Sequence, residues 1–140
     1  MSGYAFGSIK VAKDLARCGV VPKKSLIAKP HEALLNNRHF WRGMIDGDGT
    51  LYKDRNGLGL CGTEAVCQGF LDFAKTMIPT KAHVRKCKAN LWSIGVACGR
   101  ENNVGLLKEL YENAPTYLIR KHSRAIAAIA DVMRKVKVEI

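Results

Sequence analysis

Gly43 and Gly47 share one short run with two carboxylates, Trp41-Arg42-Gly43-Met44-Ile45-Asp46-Gly47-Asp48-Gly49-Thr50. The spacing of Phe40, Gly43, Met44 and Gly47 follows i, i+3, i+4, i+7 and predicts one amphipathic helix over 37–47. A glycine inside a helix costs roughly 1 kcal/mol against alanine. Two of them on one face therefore need a return, and close approach of another backbone supplies it. Asp46 and Asp48 fall at the C-terminal end of the same helix, where the macrodipole disfavours acids. Such an end invites a counter-charge, and a divalent cation beside a phosphate would supply one.

Composition narrows the surroundings of this helix. The chain has 140 residues, with 23 Lys+Arg against 12 Asp+Glu, a formal net charge of +11. With 47% hydrophobic residues it can bury a core, so the excess charge belongs to a foldable chain and points to a polyanion, nucleic acid before anionic membrane. Its apolar runs are short, broken by glycine or charge, and far below the roughly 20 residues of a membrane span. Cys18, Cys61, Cys67, Cys87 and Cys98 are odd in number and form no CxxC pair, which argues against a zinc site or a disulfide framework. Their use predicts a reducing, intracellular setting: cytoplasm, nucleoid or organelle.

Periodicity predicts a strand at 4–6 and a helix over 8–18, with Ser8 as N-cap and Gly19 as stop. A basic loop follows between Pro22 and Pro30. Residues 1–30 thus read as an N-terminal strand–helix arm, and 31–140 as the main domain. Beyond the glycine-bearing helix, 51–54 and 58–62 alternate about an Arg55-Asn56-Gly57 turn, a hairpin. A helix over 63–78 carries Val66, Phe70, Phe73, Ala74 and Met77, and Pro79 closes it. A second hairpin, 83–88 with 91–98, turns at Ala89-Asn90. A further helix bears Leu106, Leu107, Leu110 and Tyr111. The last shows Ile126, Ile129, Met133 and Val136 at helical spacing. The order is αββαββα plus a terminal helix, an α+β class in which two ββα units repeat one grammar.

The run Trp41–Gly49 resembles the signature helix of the LAGLIDADG homing endonuclease family. Gly43, Ile45, Asp46, Asp48 and Gly49 are identities and Met44 is a conservative change, while Trp41 and Arg42 stand where smaller residues are usual. The resemblance extends to the element order, to Leu15-Ala16-Arg17-Cys18-Gly19-Val20-Val21-Pro22-Lys23-Lys24-Ser25, which looks like the segment before a second motif, and to Tyr117-Leu118-Ile119-Arg120-Lys121. It implies a four-stranded antiparallel saddle sheet lying in the DNA major groove. It further implies helix packing between two domains through Phe40, Gly43, Met44 and Gly47, which brings two copies of Asp48 together. Asp48 would hold Mg²⁺ with the Gly47 carbonyl as a second ligand, and Asp46 would orient the helix end. A basic residue near the scissile phosphate is expected, with Lys121 and Arg100 as the candidates.

Alternation along the strands puts Thr50, Tyr52 and Asp54 opposite Leu51 and Lys53, and sets His83, Arg85 and Cys87 opposite Ala82, Val84 and Lys86. Trp92, Ile94, Val96 and Cys98 form an apolar face, leaving Leu91, Ser93, Gly95 and Ala97 on the other. Tyr52, Asp54, Asn56, His83, Arg85, Lys88 and Ser93 are the expected DNA-facing set. The expected function is site-specific cleavage of double-stranded DNA by a homodimer on a pseudo-palindromic target, as in intron-borne relatives. Two alternatives are a non-cleaving nucleic-acid-binding protein of the same fold, an intron maturase or regulator, and the C-terminal half of a two-motif endonuclease.

Overall fold

A computed structural model describes residues 7–18, 20, 27–53 and 56–138. The expected strand at 4–6, the Gly19 stop, Pro22 and Asp54 lie outside these residues. Helix α1, Ile9–Arg17, starts at Ser8, whose side chain accepts the Val11 N–H as expected of an N-cap. None of its residues is buried, and Ile9, Val11 and Leu15 are exposed. The main body is reached by Ala28, whose carbonyl accepts the Thr63 hydroxyl at 2.5 Å, and by the buried Pro30. A single 3-10 turn, Glu32–Leu34, follows.

Helix α2 is Arg38–Asp48, with the Asn37 side chain accepting the N–H groups of His39 and Phe40. After it come β1 (Thr50–Leu51), β2 (Leu58–Gly62), α3 (Glu64–Lys75), β3 (Arg85–Lys88), β4 (Leu91–Val96), α4 (Arg100–Tyr111) and α5 (Ile119–Val138). The described residues thus form an α+β fold with five α-helices and one four-stranded antiparallel sheet of order β1-β2-β4-β3. Each hairpin keeps its own strands paired, and β2 joins β4 at the centre, from Leu58 opposite Val96 to Gly62 opposite Trp92.

Several boundaries are shorter than the periodicity implied. β1 ends at Leu51, although Tyr52 N–H still reaches the Gly57 carbonyl at 2.9 Å and Asn56 turns the chain with φ 51°. α3 gives way to turn at Thr76, where the hydroxyl donates to the Phe73 carbonyl at 2.7 Å. The edge strand β3 starts at Arg85 rather than at residue 83, and every one of its residues is exposed.

Leu51, Leu58, Leu60, Ile94 and Val96 cover the helix side of the sheet, packed with Trp41, Ile45, Phe70, Phe73, Leu106, Leu107, Leu110 and Tyr111. Two helices bury faces that their apolar spacing does not mark. On α2 the buried residues are Trp41, Arg42 and Ile45, whereas Gly43 and Gly47 are exposed and Phe40 and Met44 are half-buried. Trp41 anchors that orientation: its indole N–H donates to the Leu35 carbonyl at 2.7 Å and its ring meets Phe40, Phe70 and Phe73. Gly69 on α3 makes the room, because a Cβ there would stand 3.1 Å from the indole. On α5 the inward residues are Lys121, Ala125 and Val132, while Ile126, Met133 and Val136 of the expected stripe remain exposed. A buried lysine outranks that stripe because its ammonium has backbone partners.

Four cations are used inside the fold. Arg38 and Arg42 donate to the carbonyls of Glu109 (3.3 Å) and Leu110 (3.2 Å) at the end of α4, and Arg42 also donates to His39 Nδ1 at 2.8 Å. Lys121 serves the end of α2, and Arg124 donates to the Leu51 carbonyl at 2.9 Å. Cations at helix C-termini satisfy orphan carbonyls and oppose the dipole. Part of the positive excess is therefore structural.

Candidate nucleic-acid interface and acidic helix end

The two acids of α2 have opposite surroundings. Asp46 is closed by protein donors: Tyr111 Oη at 2.8 Å on one oxygen and the Leu118 N–H at 2.8 Å on the other. Burial, and then the hydrogen bond to Asp46, push the Tyr111 hydroxyl well above the usual phenol range, so it stays a donor. Asp48, the last residue of α2, is exposed and makes no hydrogen bond or ion pair with the described residues.

Lys121 supplies the counter-charge that this helix end calls for. It is 4% exposed, and its ammonium donates to the carbonyls of Ile45, Asp46 (2.9 Å) and Gly49 (2.7 Å). Burial lowers its pKa and Arg120 adds to that, while Asp46 and Asp48 act in the opposite sense. An ammonium has three protons, and all three have carbonyl partners here. This differs from the expected use of Lys121 beside a phosphate. Arg100, the other basic candidate, is the exposed first residue of α4, and its charge helps hold Asp131 on α5 below the usual carboxylate range, after the larger effect of Lys135. Its near neighbours Cys98 and Asn102 line the cleft on the open side of the sheet, and Arg100 itself does not.

The side of the sheet facing away from the helices is concave, enclosing about 1060 Å³. Asp48 lines it, together with Tyr52, His83, Arg85 and Ser93 of the expected DNA-facing set. Strand pairing explains the convergence. Cys61 lies opposite Ser93 and Ser93 opposite Arg85, one row across three strands, while Thr50, Gly59 and Gly95 form the neighbouring row. The Tyr52 ring lies over that second row, and a Cβ on Gly59 would collide with its hydroxyl. Arg85 Nε donates to His83 Nε2 at 3.3 Å, and the Cys87 thiol donates to Ser93 Oγ at 3.1 Å.

Lys88 would fall on the other face by simple alternation from Arg85. A register shift between Lys86 and Lys88 pairs it with Leu91, on the same face of β4 as Ser93. Asn56 instead borders a separate cleft of about 340 Å³ with Lys53, Arg124 and Asp131. Asp54 lies outside the described residues. Thr50, Cys61, Lys81 and Asn102 line the concavity without having been singled out in the sequence. Lys81 was within reach, since it alternates with His83 and Arg85; Cys61 needed the pairing of β2 with β4.

A hard divalent cation takes about six oxygen ligands. Asp48 offers a carboxylate and Gly47 is exposed beside it, which suits such an ion in donor type but supplies only part of a shell. Among the described residues no three His, Cys, Asp or Glu side chains converge. On α2, a Cβ added at Gly43 or Gly47 would meet nothing within 4 Å, so the small-residue face is open. No described helix is long and apolar enough to cross a membrane. Comparisons with protein-family models, curated proteins and solved structures gave no match to this chain.

Proposed function

We propose that two copies of this chain form a metal-dependent, site-specific double-strand DNA endonuclease of the LAGLIDADG type. One observation carries the reading. Asp48, which makes no hydrogen bond with the described residues, ends a helix whose Gly43/Gly47 face is open, and it lines the same concavity as Tyr52, His83, Arg85 and Ser93. A second α2 helix against that glycine face would bring a second Asp48 and enlarge the oxygen set, with water as the remaining ligands. Asp48 and the Gly47 carbonyl would hold Mg²⁺, which when bound supplies an activated water and charge for the leaving 3′ oxygen. The chain's own residues do the rest. Gly43 and Gly47 admit the partner backbone, and Arg85 and Lys88 meet phosphates or bases from the sheet. His83 orients the Arg85 guanidinium.

The test is plasmid cleavage with Mg²⁺ by wild type and Asp48→Asn, beside duplex binding in Ca²⁺. The variant is expected to bind with unchanged affinity and to cut at least about 10²-fold more slowly, on the scale of losing one group that stabilises transition-state charge. Equal cutting by both removes Asp48 from the mechanism.

A second reading, a non-cleaving nucleic-acid-binding protein of maturase or regulator type, is favoured by the engagement of Lys121 with three backbone carbonyls, which leaves it no proton for a phosphate. It predicts duplex or RNA binding by both proteins and cutting by neither. A half of a two-motif enzyme is separated by light scattering, since it would remain a monomer.

A further inference from the structure

The last turn of α2 carries more negative charge than a helix end usually holds. Its dipole places roughly half an elementary charge on the terminal carbonyls, and Asp46 and Asp48 add two carboxylates. The fold answers with α5. Lys121 gathers the carbonyls of Ile45, Asp46 and Gly49 onto one buried ammonium, and Leu118, three residues earlier, closes the Asp46 carboxylate together with Tyr111. The chain folds tightly back here, for a Cβ on Gly49 would stand 2.7 Å from Ile45 Cα. Helix ends ordinarily fray, with opening free energies near the bottom of a protein's range. This end is pinned on both sides of Asp48, whose own side chain makes no hydrogen bond with the described residues.

We infer that Lys121 and Asp46 form a clasp that positions Asp48 for a divalent cation, with Lys121 acting from behind the helix rather than on DNA. The inference rests on the reading of Asp48 as a cation ligand. Lys121 and Asp46 are positioning residues: they touch neither cation nor phosphate, and they fix where the free carboxylate stands. Groups that orient a metal ligand commonly govern affinity as strongly as a weak ligand does.

Mn²⁺ is the probe, read as paramagnetic broadening of the Asp48 and Gly49 amide signals in ¹⁵N-labelled full-length protein. Lys121→Met is expected to need about tenfold more Mn²⁺ for half-broadening. The Gly49 N–H should exchange faster, while amides of α3 keep their protection. Duplex binding in Ca²⁺ should keep its salt dependence, because Lys121 has no proton left for a phosphate. An unchanged Mn²⁺ half-point overturns the clasp, as does a salt slope shallower by about one unit, the mark of a lost phosphate contact.

Should Lys121→Met fail to fold, Tyr111→Phe decides. It keeps the ring and removes one donor to Asp46, so the half-point should rise about threefold; no change overturns the clasp. Wild-type protein whose Asp48 and Gly49 signals ignore Mn²⁺ overturns the cation reading and the clasp together. Wild-type broadening that Lys121→Met reproduces overturns the clasp alone.

Discussion

On the helix side of the sheet, Leu51, Leu58, Leu60, Ile94 and Val96 are each 4% exposed or less and pack against α2, α3 and α4. On the open side, the same strands carry Thr50, Gly59, Cys61, Ser93, Gly95 and Arg85, with the Tyr52 ring laid across the glycines. Small residues and one aromatic shape the open side, and its charges keep their hydration. The first face supplies the burial that holds the chain together. The second presents a shaped, basic surface to whatever approaches it, so changes on the two faces should have separable consequences.

The largest effect belongs to the covered side. Trp41→Ala removes a fully buried indole and its bond to Leu35, and should cost about 3–5 kcal/mol in urea unfolding. A smaller loss would mean that α2 can settle back into the space beside Gly69.

Gly59→Val breaks the separation deliberately, since it acts on the open side but in direct conflict with Tyr52. It should destabilise by about 1–3 kcal/mol. Most of that loss should vanish in a Tyr52→Ala background, where the obstructing hydroxyl is gone. A full loss in both backgrounds would place the strain in the backbone of β2 instead.

Arg85→Ala is the sharper test of an open side free for a ligand. Stability should change by no more than about 0.5 kcal/mol. Duplex affinity should fall, and its salt slope should flatten by about one unit. A destabilised protein with intact binding would assign Arg85 to the fold.

The smallest effect is alkaline. Burial, with Cys61 and Cys87 nearby, pushes the Cys67 thiol from 9.0 up to about 11. Between those values the folded protein keeps a proton that the unfolded chain has lost, so raising the pH favours unfolding. This contribution is intact below pH 9 and disappears as pH approaches 11. Cys67→Ala should lose stability less steeply across that window, measured by urea midpoints, although its midpoint is lower throughout.

Much of the site on the open side was legible because alternation along a strand is local. Tyr52, His83, Arg85 and Ser93 were assigned from period two and lie together in the concavity. Lys88 reaches that face through a bulge, and Asn56 borders a different cleft, because irregular turns break the parity that a sequence displays. The rotation of α5 was not legible. Ile126, Ile129, Met133 and Val136 make the better apolar stripe, yet the helix turns Lys121 inward.

The sequence by itself determined the αββαββα order, the caps of several helices and the identity of the acidic helix end, since caps, turns and periodicity act over a few residues. Tertiary structure decided the strand order, which sets β4 between β2 and β3, and the different fates of Asp46 and Asp48. It also decided that Lys121 is the cation that answers the α2 dipole. The partners in that last choice lie more than 70 residues apart in the chain. A polar group chooses among distant partners only when burial removes water from the competition, and only the packed fold does that.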